Sequence, residues 1–388
     1  MKRLLWRVCT LLMLAVLTLM LPGCWDAREL DTLSIVAGVG IDTAKDAGQY
    51  DFTVQVGIAQ KSGEKDGGGG QDEPSMMMTA TDSTLLLAFE QLRLKSSREL
   101  FLHPNQVVVI GKDLAKQGIQ PILDMFLRYH ESRLQVWVLV ADTTAKELLN
   151  TKTQQEPITA VAISRILDDQ AGISKYYSTN MIEFTSRLIA KGTSSIVPLI
   201  ASQGEEDNQR LALVGSALFN EDKMVGELNE EETLGYVMAM GEMEDGIIQV
   251  PMEEGTAVLH ITSLDSNAKP RLSNGAVTID LKISAVFAIG ELQGFAGVKM
   301  DDLFPKIQKA ALQTVMDSIG KTFKKTQQLK TDIFGYGISV YQNYPKEWRT
   351  MKDNWDEIYP NITLNITAKG QITNTGKIND SLNMKGSQ

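Results

Sequence analysis

Apolar and polar positions repeat with two different periods along this chain. Ile35 to Ile41 is a dense apolar run, and Phe52, Val54, Val56 and Ile58 then alternate with Asp51, Thr53, Gln55 and Gly57. Strict alternation predicts a half-buried strand. Leu85, Leu86, Phe89 and Leu92 recur at helical spacing behind Asp82, which predicts a helix capped by that aspartate. Val107 to Ile110 reads as a buried strand. Asp113 opens a helical stretch through Leu114, Ile122, Met125 and Phe126, and Leu134 to Val140 returns as a second buried strand. Strand, helix, strand in that order implies a local parallel pair. Helices are expected near 144–150, 157–169 and 179–190, the last closed by Gly192.

Downstream, the polar stretch Gly204 to Asn208 reads as a linker. Leu211–Phe219 and Met224–Leu228 suggest a hairpin around Asn220–Lys223, followed by a helix from about Glu230 to Met240 and strands near 247–250 and 257–263. Ser266 to Gly275, with Pro270 and an Asn274-Gly275 turn, reads as a second linker. Val277, Ile279, Leu281 and Ile283 then alternate into a long helix over about 302–330, capped by Asp301 or Asp302 with Pro305 in its first turn. Its apolar stripe is Ile307, Ala311, Leu312, Val315, Ile319 and Phe323. Lys321, Lys324, Lys325 and Lys330 stand at the negative end of its dipole. A last alternating strand contains Ile362, Leu364, Ile366 and Ala368. These patterns predict an α+β or mixed α/β fold in three consecutive domains: 24–203 with a flexible loop at about 61–75, a small central 209–265, and 272–388, with mixed sheets flanked by helices.

Ahead of these elements stands a segment of another kind. Lys2, Arg3 and Arg7 precede an uncharged stretch from Val8 to Leu21 that is shorter than the roughly 20 residues a membrane-spanning helix needs. This fits a signal-peptide apolar core. It ends in Leu21-Pro22-Gly23-Cys24, which resembles the bacterial lipobox, where cleavage leaves 1–23 behind and the cysteine thiol takes a diacylglyceryl group. Pro22 is an unusual occupant that helps to end the apolar helix before the cut.

Charge and composition narrow the function further. With 48 acidic against 38 basic residues among 388, the net charge is −10, and loss of the signal removes three positive charges. Such a body does not favour nucleic acid as its partner and gains nothing from anionic lipid by bulk charge. Both cysteines, Cys9 and Cys24, lie at the N-terminus, so the rest of the chain has no disulfide, thiolate metal site or cysteine nucleophile. His103, His130 and His260 show no metal spacing, and no HExxH or G-x-S-x-G motif occurs. Gly67 to Gly70 lack the Lys-Ser/Thr of a phosphate loop. Gly111-Lys112-Asp113 lacks the upstream glycine, and Gly38-Val39-Gly40 suits close packing in a strand. No catalytic, metal or cofactor-binding residue is expected, and the chain reads as a non-enzyme.

Cys24-Trp25-Asp26-Ala27-Arg28-Glu29-Leu30, followed by Val39-Gly40-Ile41-Asp42, resembles the Ger(x)C family, the lipoprotein C subunits of spore germinant receptors. The resemblance continues through Val107–Gly111, the helix to Arg128 and Arg133, the run Thr331-Asp332-Ile333-Phe334-Gly335-Tyr336-Gly337, Tyr344–Trp348 and Asn354-Trp355-Asp356. It implies three mixed α/β domains held by lipid on Cys24 at the outer face of the spore inner membrane. It also implies assembly with two integral-membrane receptor subunits, one permease-like, into a receptor that triggers germination. Only Cys24 carries over, as a modified residue. Trp25, Asp26, Arg28 and Glu29 suit either docking onto the first domain or contact with a membrane subunit; Trp348 and Trp355 read as core anchors. The alternative from the lipobox alone is a solute-binding lipoprotein of an ABC transporter, which needs two similar βαβ lobes where strong βαβ patterning occurs once.

Overall fold

A computed structural model describes residues 1–19, 32–58, 74–173, 176–204, 209–241, 243, 245–295 and 300–374. Helix α1 (Lys2–Leu19) precedes a meander of β1 (Leu33–Thr43), β2 (Tyr50–Gly57) and β3 (Ser75–Asp82). Next come α2 (Leu85–Lys95), β4 (Glu99–Phe101), β5 (Val107–Gly111), α3 (Lys112–Gln117), α4 (Gln120–Arg128) and β6 (Trp137–Ala141). Helices α5 (Ala145–Leu149), α6 (Thr159–Ile173) and α7 (Met181–Ile189) lead into β7 (Ser195–Gln203), β8 (Arg210–Asn220) and β9 (Lys223–Leu228). Helix α8 (Glu230–Met240) connects to β10 (Gly246–Met252), β11 (Gly255–Ser273) and β12 (Ala276–Gln293). The chain ends in α9 (Met300–Gln328), α10 (Tyr336–Asn343), α11 (Pro345–Met351), α12 (Trp355–Ile358) and β13 (Thr363–Asn374).

The fold is mixed α+β, with two mixed sheets flanked by helices. The first sheet has nine strands in the order β3-β2-β1-β5-β6-β7-β8-β9, with β4 paired to the start of β1. Its centre, β1-β5-β6-β7, is parallel, and the predicted β5–β6 pair is part of it. Pleating sends alternate residues of β5 to opposite faces. Val108 and Ile110 enter a core under α2, α4 and α7, while Val107 and Val109 enter one under α5 and α6. That double burial explains why the run is apolar throughout. Gly38 and Gly40 let the second helical layer approach: a Cβ on Gly38 would lie 2.5 Å from the Ala160 methyl, and one on Gly40 3.1 Å from that of Ala145.

Four expectations change. Thr84, the residue immediately before α2, supplies its N-cap by accepting from the Leu87 amide, while Asp82 accepts from Ser83 and Gln91 instead. The expected central domain 209–265 is divided: β8 and β9 complete the first sheet, whereas β10 and β11 belong to the second, ordered β10-β11-β12-β13. Ile196, Leu218 and Leu228 of the first sheet join the core of the second together with residues of α8 and α9. The expected linker 266–275 is mostly strand; β11 runs through Pro270 to Ser273, and only Asn274-Gly275 turns, at φ 50° and 80°. Pro270 is tolerated because β10 stops short of it, leaving that side of β11 as an edge. Finally, α9 starts at Met300, ahead of both proposed capping aspartates.

The hairpin β8–β9 and helix α8 match their expected places. The capping box of Asn229 and Glu232 starts α8, and Gly241, at φ 73°, ends it. The two sheets differ in strand number and pairing, so they are not the paired similar lobes of a solute-binding lipoprotein. The tetraglycine loop and most of the first linker lie outside the described residues.

Candidate functional site

Two constellations of buried polar groups organise the molecule. The first lies at the C-terminal ends of the parallel strands, where open α/β sheets gather their ligands. Asp42 ends β1, and its buried carboxylate accepts from the amides of Ala145 (2.7 Å) and Lys146 (3.0 Å) at the start of α5. Burial pushes its pKa up, partly offset by those two donors. Gly111 must be glycine here, because a Cβ would run into Asp42. Lys112 bridges Asp142 (2.6 Å) and Glu227 (2.8 Å), tying the ends of β5, β6 and β9. The resulting cleft is only about 160 Å³, lined by Asp42, Lys112, Asp113, Asp142 and Thr144. That is below the usual size of a small-molecule pocket.

The second constellation joins the first sheet to the C-terminal helices. Asp332 is buried and accepts three N–H donors: the amides of Tyr336 (3.1 Å) and Gly337 (2.8 Å) and the Trp355 indole (2.9 Å). Desolvation pushes its pKa up to about 6, against the donors and Arg187, which pull it down. Its backbone carbonyl accepts from the Ser194 amide at 2.8 Å. Arg187, on α7, donates to the carbonyls of Ser194 and Ile333 and so crosses the same junction. Gly192 and Gly337 meet back to back: a Cβ on Gly337 would lie 2.5 Å from the Gly192 Cα, and the Ile338 amide donates to the Gly192 carbonyl. Trp348 and Trp355 pack edge to face at 5.2 Å beneath them, both buried as expected. The donors to the Asp332 carboxylate and to the carbonyls of Asp332 and Gly192 all come from this chain, so the cluster positions one unit on the other.

The structure does not bring the three histidines together. His103 stacks on Phe101, His130 is exposed beyond α4, and His260 lies on β11 near Asp245. Among the described residues no group of three His, Cys, Asp or Glu side chains is placed to hold a metal, and no helix is long and apolar enough to cross a membrane. Cys24, with Trp25, Asp26, Arg28 and Glu29, lies outside the described residues. Of the lysines expected at the end of the long helix, Lys321 in α9 pairs with Glu231, and Lys330, just beyond α9, pairs with Glu357.

Residues 26–202 match the spore germination protein N-terminal domain, and residues 214–376 match the spore germination B3/GerAC-like C-terminal domain. The chain belongs to the Ger(x)C family of spore germination proteins. Its Ger(x)C relatives match end to end. Spore germination protein KC of Bacillus subtilis (strain 168) is 26% identical over 97% of this chain and 98% of its own length. Spore germination proteins B3 and A3 of the same organism are 22% and 23% identical over at least 90% of this chain and 92% of their own. The crystal structure of the GerBC protein covers 89% of this chain and 99% of its own at a TM-score of 0.55 and 18% identity, which shows a common fold. Both constellations fall on motifs through which the sequence resembles this family, Gly-x-Gly-x-Asp and the Thr331–Gly337 run. The motifs mark the positions. The reach of Asp42 to a helix 100 residues on, and of Asp332 to Trp355, needs the fold.

Proposed function

We propose that this protein is the lipid-anchored C subunit of a nutrient germinant receptor. It is held on the outer face of the spore inner membrane by diacylglyceryl and N-acyl lipid on Cys24. It acts by protein–protein contact with the integral-membrane receptor subunits, one of them permease-like, and it is not an enzyme. The observation that carries this reading is the pair of family matches, which run in order over nearly the whole chain and begin at residue 26, two residues beyond the lipobox cysteine.

The test has two parts. Spores lacking the gene should lose germination with some amino acids, sugars or nucleosides, scored by loss of refractility, while direct triggers of dipicolinate release still work. Spores carrying Cys24→Ser should lose metabolic labelling with palmitate and release the protein from the inner membrane. Normal labelling and membrane partition of the Cys24→Ser protein at its mature size would refute the anchor. Unchanged germination on every nutrient, with all paralogous receptors deleted as well, would refute the receptor role.

A further inference from the structure

A larger cavity than the Asp42 cleft opens at the same end of the first sheet. Tyr50 begins β2 opposite Thr43, the last residue of β1, and Asp82, the last residue of β3. The chain passes from β3 through Ser83 and Thr84 into α2, and α4 packs against α2 over this corner. Between the two helices and Tyr50 lies a cavity of about 360 Å³, more than twice the volume of the Asp42 cleft. It falls within the roughly 300–1,000 Å³ of small-molecule sites.

One wall of the cavity is a single stripe of α4. Pro121, Asp124, Met125 and Arg128 line it, at the i, i+3, i+4 and i+7 spacing of one helical face. Leu85 and Leu86 of α2 stand across from them, with the rings of Tyr50 and Tyr129. Leu85 and Met125 are buried and Leu86 is 47% exposed, so apolar surface runs from the floor to the mouth. Tyr129 is held from behind by Phe89, edge to face at 5.7 Å, and Phe89 by Phe52 at 5.7 Å, which fixes the floor. The charged groups are one exposed pair. Arg128 donates its Nε to Asp124 at 2.7 Å, and its two terminal nitrogens have no partner among the described residues. An ion pair this exposed contributes little, so its members can take other partners at little cost.

We infer that this cavity binds a free α-amino acid with an apolar side chain. The side chain enters between Leu85, Leu86 and Met125 and takes their apolar surface out of water. The carboxylate takes the open fork of Arg128 and the ammonium takes Asp124, so two ion pairs replace one. Both charges on the ligand are needed. A carboxylic acid without the ammonium brings a like charge to Asp124, and an amine without the carboxylate brings one to Arg128. A sugar would strand its hydroxyls against the leucines and the methionine. The inference rests on this geometry alone and does not depend on the lipid anchor or on the receptor role.

The test is equilibrium dialysis of radiolabelled leucine, methionine and phenylalanine against the full chain in detergent micelles, with empty micelles as the blank. At least one of the three should bind saturably with a Kd of about 1 mM or tighter. Glutamate, lysine and glucose should not compete. Isopentylamine, 4-methylpentanoate and N-acetylleucine amide, which keep the leucine side chain but lack one charge or both, should compete about tenfold more weakly or worse. Arg128→Gln and Asp124→Asn replace exposed side chains, so each should weaken binding by about tenfold or more while the circular dichroism stays unchanged. Leu86→Trp, at the mouth, should block it. Absence of saturable binding of all three amino acids overturns the inference, and so does binding undiminished in both charge variants. Equal competition by 4-methylpentanoate or isopentylamine overturns the amino acid as the ligand. Equal competition by N-acetylleucine amide overturns it too, because the cavity then receives an apolar side chain of another protein. None of these results touches palmitate labelling of Cys24 or spore germination, so the site stands or falls apart from the receptor reading.

Discussion

Replacing Asp332 with asparagine separates two physical pictures of the junction. The carboxylate accepts three buried donors, and each such group left without a partner costs about 1–3 kcal/mol. Asparagine keeps one carbonyl oxygen. Placed toward Gly337 and Trp355, it satisfies two donors and turns its NH₂ on the Tyr336 amide, so Asp332→Asn should cost roughly 1–3 kcal/mol and Asp332→Ala several kcal/mol more. The pH dependence is the sharper consequence. Burial pushes the native pKa up to about 6 from 3.8. The folded state therefore binds the proton more tightly than the unfolded one. The stability this contributes is fully present below about pH 3.8 and is lost as pH rises through about 6. The difference corresponds to about 3 kcal/mol. Asparagine does not titrate, so the gap between wild type and Asp332→Asn should narrow by about that amount from pH 4 to pH 7. Urea unfolding of the Cys24→Ser protein lacking residues 1–23, with and without the substitution, measures this directly. A gap that widens toward pH 7 would mean that the three donors outweigh desolvation and would refute the reasoning.

Three further outcomes follow from the same geometry. Gly192→Ala places a methyl 2.6 Å from the Trp348 ring at a φ of +85°, so it should destabilise by more than about 2 kcal/mol and weaken the near-ultraviolet circular dichroism of the packed tryptophans. Asp42→Ala strands two amides at the start of α5 and should cost about 2–4 kcal/mol, with hydrogen exchange of Ala145 and Lys146 accelerated before that of β5; uniform acceleration would contradict the assignment. Lys112→Met breaks two half-exposed ion pairs and should cost no more than about 1 kcal/mol by urea unfolding, with the midpoint nearly independent of salt.

Much of the fold was readable because its elements carry local signals. The Asn229/Glu232 box and Gly241 bound α8 to the residue, and alternation in 52–58 and 277–283 marks real strands. What failed was pairing. Leu211–Phe219 reads as one strand in any sheet, and nothing in its alternation says that β7, eight residues back across a polar stretch, is its partner. Pro270 reads as a breaker unless it is known that β11 has an open side there. The site residues divide the same way. Gly38 and Gly40 were legible as close-packing glycines. Asp332 sits between Thr331 and Ile333 in a stretch with no periodicity, and only the donors brought by Tyr336, Gly337 and Trp355 make its burial tolerable.

The second sheet is completed late. β13 pairs in parallel with β12, and the whole of α9 to α12 lies between them in the chain. A polypeptide that emerges from its N-terminus therefore holds one side of β12 bare until the 12 residues of β13 arrive. Contacts this distant in sequence form slowly, and an unpaired strand of this length is open to pairing with another chain. Nonsense or frameshift alleles ending before residue 363 should accordingly give aggregated protein that is degraded, and not a shortened but working one.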